Sequence, residues 1–312
     1  MTRIDVGTCS WTDPALLASG WYPPSARGPE GRLRHYASRF PVVEVDATYY
    51  ALPSTRNSEL WAARTPDGFR FDVKAFSLLT GHPTRAGALP ATLRVPGPPG
   101  RPVRAAELPV GAEQEIWERF AGALDPLIAA DRLGTVLLQF PPWFAPGPAA
   151  QAALGRWAER AREIPLAVEL RHPAWLTPSA FPGTTALLRS AGAAFVAVDV
   201  AQGLPTSLPP VTAVTSSATA VVRFHGRSRQ WGTGSKEDRF RHRYTAAELR
   251  PWLPRIQQLA GKADRVHVLF NNCCGDAAVS AAELMTHLLE RPGPSGRRTA
   301  RPAVPVDDTG TA

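Results

Sequence analysis

Three carboxylates, Glu44, Glu169 and Asp199, and one imidazole, His225, stand at the ends of four different short apolar runs. Cations occupy equivalent places at Lys74, Arg171 and Arg223, with the amides of Gln139 and Asn271 and a second imidazole at His172. Such a set suits metal-free acid–base chemistry. A carboxylate beside a cation stays ionised and can act as a base, a buried one without a cation stays protonated, and an imidazole moves protons near neutral pH. Arginine grips phosphate or carboxylate groups in bidentate fashion. The alternative chemistry is a divalent metal, because oxygen and nitrogen ligands delivered from several strands are how barrels hold one. No local spacing of the H-x-x-x-H kind marks a metal site, and the three cations offer the carboxylates ion pairs instead. The candidate catalytic groups are therefore Glu44, Glu169, Asp199 and His225. The candidate substrate-binding groups are Lys74, Gln139, Arg171, His172, Arg223 and Asn271, with the aromatic residues Trp11 and Tyr50. No cofactor is assigned, and the divalent metal stays open.

These residues need elements that bring them to one place. Eight runs rich in β-branched and other apolar residues recur along the chain: Ile4–Cys9, Val42–Asp46, Phe69–Lys74, Thr135–Phe140, Leu166–Arg171, Ala194–Asp199, Val221–His225 and Val266–Asn271. Helix-like or loop segments separate them. Eight strands alternating with helices predict a single (β/α)8 barrel of the TIM type, whose active-site mouth lies at the C-terminal ends of the strands. Side chains alternate faces along a strand. Val43 and Val45 thus oppose Glu44 and Asp46, Val168 and Leu170 oppose Glu169 and Arg171, and Val222 and Phe224 oppose Arg223 and His225. Val266, Val268 and Phe270 likewise oppose His267 and Asn271, and Val196 and Val198 oppose Asp199. With the apolar sets turned to the helices, the polar sets point into the barrel.

Helices are expected at Arg32–Arg39, from an N-cap at Ser54 to Arg64, and at Gly111–Asp131, Pro148–Glu163, Pro178–Ala191, Ala246–Lys262 and Ala277–Glu290. After the sixth strand, Pro205, Pro209 and Pro210 make the βα6 region irregular. After the third, a long insertion over residues 76–110 emerges on the mouth side. It reads either as a lid or substrate-binding loop or as a disordered segment. The domain is expected over residues 1–290, with a disordered tail of Pro, Gly, Arg, Thr and Asp over 291–312.

The 312 residues suit one large barrel that folds without a disulfide or metal. No apolar run is long enough to span a membrane, and Met1-Thr2-Arg3 leads almost directly into a strand, which points to a cytoplasmic protein without a signal peptide. The three cysteines, Cys9, Cys273 and Cys274, suit a reducing compartment. The net charge of +8 invites nucleic acid as a partner, and Arg239-Phe240-Arg241-His242-Arg243-Tyr244 interleaves basic and aromatic residues. The charge comes mostly from arginine in an Ala- and Pro-rich chain, so weak, non-specific nucleic-acid binding is the expectation. No phosphate-binding Gly-rich loop and no serine nucleophile elbow are present, which argues against nucleotide-dependent phosphoryl transfer and serine hydrolysis.

Several segments together carry a resemblance: Gly7-Thr8-Cys9-Ser10-Trp11, Trp21-Tyr22-Pro23, Phe40–Tyr50, Pro66–Ala75, Gln139-Phe140-Pro141-Pro142, Ala167–Trp175, Val222–Arg227 and Phe270-Asn271-Asn272. In order and spacing the chain resembles the YecE-like family, domain of unknown function 72, from about Val6 to Leu289. The resemblance implies a barrel of the kind argued above and no established reaction. The family pattern usually has Asn at Asp46, His or another polar residue at Cys273, and Asn at Ala281. The function expected from the residues is an enzyme acting on an anionic substrate, phosphorylated or a phosphodiester, in a polar pocket at the barrel mouth. The alternative is a non-catalytic module that binds nucleic acid or an anionic metabolite.

Overall fold

Each of the eight apolar runs forms a strand, and the strands close on one another. The structure is a computed structural model that describes residues 2–161, 163–230, 234–272 and 274–290; the expected tail, Trp231 and Cys273 lie outside the described residues. The strands are β1 (Arg3–Thr8), β2 (Val42–Val45), β3 (Arg70–Lys74), β4 (Leu133–Phe140), β5 (Leu166–Leu170), β6 (Ala194–Asp199), β7 (Thr219–Phe224) and β8 (Arg265–Phe270). They form a closed parallel barrel in sequence order, and β1 pairs with β8 from Arg3↔Arg265 to Thr8↔Phe270. A barrel has no sheet edge, so every strand is buried on both faces.

Paired residues of parallel strands share a face, so the register decides which side chains point inward. Glu44 lies beside Asp72, Gln139 beside Glu169, and Arg223 beside Leu269. All of these polar groups are interior, as the alternation predicts. On β6 the prediction fails. Val198 pairs with Arg223 and Asp199 with Phe224, so Val196 and Val198 face the interior and Asp199 faces the helices. The reason is that β6 carries apolar side chains on both faces, Phe195 and Ala197 against Val196 and Val198, and all are buried. Alternation cannot tell inside from outside on such a strand.

Among the described residues seven longer helices surround the barrel: α1 (Pro29–Arg39), α2 (Thr55–Ala63), α3 (Ala112–Gly122), α4 (Pro148–Arg160), α5 (Phe181–Ser190), α6 (Leu253–Ala260) and α7 (Ala277–Glu290). Ser54 caps α2 as expected, its hydroxyl accepting from the Asn57 amide at 3.2 Å. Two predicted helices are broken at prolines. The first stops at Gly122 and restarts at Asp125 next to Pro126, and the second passes through a 3-10 turn at Arg250–Trp252 around Pro251. No helix occupies residues 200–218 between β6 and β7.

The insertion after β3 is ordered. Thr84–Arg85 pairs antiparallel with Pro102–Val103, and Leu78, Leu79, Leu89, Leu93 and Val103 are buried. Those apolar anchors are spaced too irregularly to show a helical period, so the segment reads as structureless in one dimension.

Below the mouth the barrel is filled by polar layers. Asp5 accepts from Arg3 at 2.5 Å and from Arg265 at 3.0 Å. Above it the His267 ring meets Asp72 at 2.9 Å, and Asp72 also accepts from the Thr135 amide at 2.8 Å. Glycine is required beside this pair, since a Cβ at Gly134 would overlap the Asp72 carboxylate.

A polar cleft at the barrel mouth

Arg223 organises the mouth. It stands next to last on β7 and is fully buried. Its Nε donates to Glu44 Oε2 at 2.8 Å and its Nη2 to Glu44 Oε1 at 2.6 Å, a two-pronged contact with the carboxylate of β2. Its Nη1 donates to Glu169 Oε2 on β5 at 2.5 Å and to Gln139 Oε1 on β4 at 3.3 Å. One guanidinium thus ties four strands across the barrel. The Cys9 thiol, 3.5 Å from Glu44 Oε2, fills the space on the β1 side.

Glu169 is the second hub. Its Oε1 accepts from Arg171 Nη1 at 2.9 Å and from His225 Nε2 at 3.1 Å. Burial alone would raise the Glu169 carboxyl, but Arg223, His225 and Arg171 outweigh it and hold the group well below the usual carboxylate range. For His225 burial wins: the imidazole is pushed down to about 4 despite the neighbouring Glu169. It is therefore neutral at physiological pH. The Asn271 amide donates to its Nδ1 at 3.0 Å, which leaves the proton on Nε2, facing Glu169.

Lys74 ends β3 on the same interior face. Its ammonium lies over the Tyr49 ring, 4.6 Å from the centroid. Burial and the nearby Arg223 lower its pKa, and Glu44, Glu169 and Asp46 oppose this only in part. Above these groups opens a cleft of about 310 Å³ walled by Lys74, Gln139, Arg171, His225 and Asn271 from the strands, Tyr49 and Tyr50 from the loop after β2, Pro142, and Arg239 and Phe240 from the segment after β7. Tyr49 and Tyr50 also wall a neighbouring cavity of about 440 Å³ lined by Pro83, Thr84, Arg85 and Pro102 of the insertion.

Of the twelve residues singled out in the sequence, nine meet in this network or wall the cleft. Three do not. Asp199 is turned outward, where it accepts from Arg227 at 2.8 and 2.6 Å, Tyr244 at 2.8 Å and Trp252 at 2.7 Å. Trp11 is buried away from the cleft, its ring edge-on to Trp61 and Phe71. His172 accepts from the Ala174 amide at 3.2 Å and so caps the 3-10 turn Pro173–Leu176. Both follow strand ends, where the chain turns outward. Arg239 and Phe240 join the wall because the long β7 loop folds back over the mouth, which strand alternation does not reveal. The Asp72–His267 pair was legible in the same alternation, since Asp72 shares a face with Lys74.

The geometry bears on the metal reading as well. Arg223 occupies both oxygens of Glu44 and one of Glu169, and among the described residues no three His, Cys, Asp or Glu side chains cluster so as to hold a metal ion. Among the described residues no helix is long and apolar enough to cross a membrane.

Comparison with known proteins agrees with the barrel. Residues 5–304 match the family model described as protein of unknown function DUF72. The chain is 32% identical over 294 residues to the UPF0759 protein YunF of Bacillus subtilis (strain 168), which covers 92% of this chain and 95% of that protein. Crystal structures of DUF72 family proteins are also similar. One from Thermotoga maritima MSB8 is 27% identical with a TM-score of 0.73, covering 93% of this chain and 100% of that one. One from Enterococcus faecalis V583 shares the fold at 23% identity and a TM-score of 0.73, covering 94% of this chain and 99% of that one.

Proposed function

This chain belongs to the DUF72 family of proteins of unknown function, and from its barrel mouth we propose an enzyme that acts on an anionic small molecule, phosphorylated or a phosphodiester. The observation that carries this reading is the unequal use of the cations. Arg223 is committed to two buried carboxylates, while Arg171, Lys74 and Arg239 all reach the wall of one cleft. Arg171 and Arg239 suit the anion, Arg171 because its planar fork is already oriented by Glu169. In this reading Glu44 and Glu169 act through others: they hold Arg223, Arg171 and His225 in place. Lys74, with its lowered pKa, is the group that takes up a proton.

The competing reading, a non-catalytic module for nucleic acid or an anionic metabolite, draws on the basic stretch after β7. There Arg243 faces Asp276 at 2.5 Å, Arg241 faces Asp238 at 3.9 Å, and Arg227 is held by Asp199. Those pairings leave less positive charge for phosphates than the sequence implies.

The test is thermal unfolding with inorganic phosphate, sugar phosphates, nucleotides and single-stranded DNA. A small anion at ten times its dissociation constant adds about 1.4 kcal/mol, a rise of roughly 3 °C for a domain of this size. Arg171→Met should abolish that rise. No stabilisation by any anion would overturn the proposal, and a response to DNA alone would favour the binding module.

A further inference from the structure

The reading of the cleft as an anion site leaves open what is done to the anion, and Lys74 narrows it. This lysine is placed at a strand end inside the barrel mouth, partly enclosed, with its amine against the Tyr49 ring and its tip at the cleft wall. Glu44, Glu169 and Asp46 act on it only through space, and the first two are hydrogen-bonded to Arg223 instead. A lysine shielded from water beside another cation carries more of the neutral amine than an exposed lysine does, and neutral amines attack carbonyl carbons.

We propose that Lys74 forms an imine with a carbonyl group of the substrate, so that the substrate class is a carbonyl compound bearing an anionic group. The amine nitrogen attacks the carbonyl carbon, and the proton it loses passes to the former carbonyl oxygen to give a carbinolamine. That oxygen takes a second proton, balanced by the remaining N–H proton that the nitrogen gives up, and leaves as water while the C=N bond forms. One amine and one carbonyl thus become one imine and one water, with no redox change. Arg171, on the same wall, holds the anionic group. This inference rests on the anion reading above.

The chain suits a direct test because it has three lysines, Lys74, Lys236 and Lys262, and Lys262 is exposed and distant from the mouth as an internal control. The full chain is incubated with glyoxylate, pyruvate or dihydroxyacetone phosphate, reduced with sodium borohydride, and mapped by peptide mass spectrometry. The expected result is a reduced adduct on Lys74 with at least one probe, absent from Lys262 and lost in Lys74→Met. Excess inorganic phosphate should suppress it. Adducts on neither lysine, or equally on both, overturn the imine. Phosphate stabilisation in thermal unfolding without a Lys74 adduct removes the imine and leaves the anion site standing. A Lys74 adduct that phosphate neither suppresses nor accompanies with stabilisation keeps the imine and removes the anion site.

Discussion

Replacing Arg223 by methionine strips three charge-assisted hydrogen bonds, at 2.8, 2.6 and 2.5 Å, from two carboxylates that are themselves fully buried. Removing one partner of a buried ion pair costs about 3–5 kcal/mol, because the remaining charge is left without compensation. Here a single guanidinium serves two carboxylates, so the upper end, about 5 kcal/mol, is expected. That is a large part of the roughly 5–15 kcal/mol that holds a domain folded. It corresponds to a fall in melting temperature of roughly 10 °C. The loss should depend on pH. In the natural protein Glu169 is held well below its ordinary value, so its contribution is in full force above the unfolded value of about 4.3 and fades only as pH falls through the lower folded value. Without Arg223, burial raises that carboxyl, and protonation relieves the strain instead. Urea unfolding should therefore show the largest difference between the two proteins at pH 8 and a smaller one at pH 4.5. Combining Arg223→Met with Glu44→Leu and Glu169→Leu should restore most of the stability, since apolar groups of similar volume replace buried pairs well. A cost below about 1 kcal/mol at pH 8, or an equal cost at both pH values, would refute the claim that this guanidinium neutralises the mouth.

Two further outcomes follow from the same geometry. Asp199→Ala should cost about 3 kcal/mol by stranding Trp252, Tyr244 and Arg227, yet leave the phosphate-induced rise in melting temperature unchanged, because this carboxylate lies outside the barrel; loss of the rise would place Asp199 in the site after all. His225 should remain a neutral Nε2–H imidazole from pH 8 to pH 5.5 in nitrogen NMR. Its folded value of about 4 lies below the unfolded value of about 6.5, so the unfolded chain binds more protons between them. Stability should then fall as pH drops through that window, and His225→Gln should flatten the fall in chemical denaturation; titration of the ring near 6.5 in the folded protein would contradict the assigned burial.

The alternation of apolar and polar residues determined the eight strands, the barrel, and the inward direction of Glu44, Glu169, Arg223, His225 and Asn271. It could do so because a strand repeats every two residues, and on these strands charge and apolarity alternate with that period. Asp199 escaped the same logic: with valine, phenylalanine and alanine on both sides of β6, only its register with β7 decides which face is which. Trp11 and His172 lie past their strand ends, where the path of the loop and not the periodicity sets direction. The proline-rich insertion showed no period either, since its irregularly spaced buried residues are held by a two-residue pairing and by contact with the barrel. Above all, the sequence shows that cations and carboxylates share one mouth but not who pairs with whom. That Arg223 takes Glu44 and Glu169, leaving Lys74 against Tyr49 in the cleft wall, follows from closing the barrel, which brings residues 179 positions apart in the chain within hydrogen-bond distance.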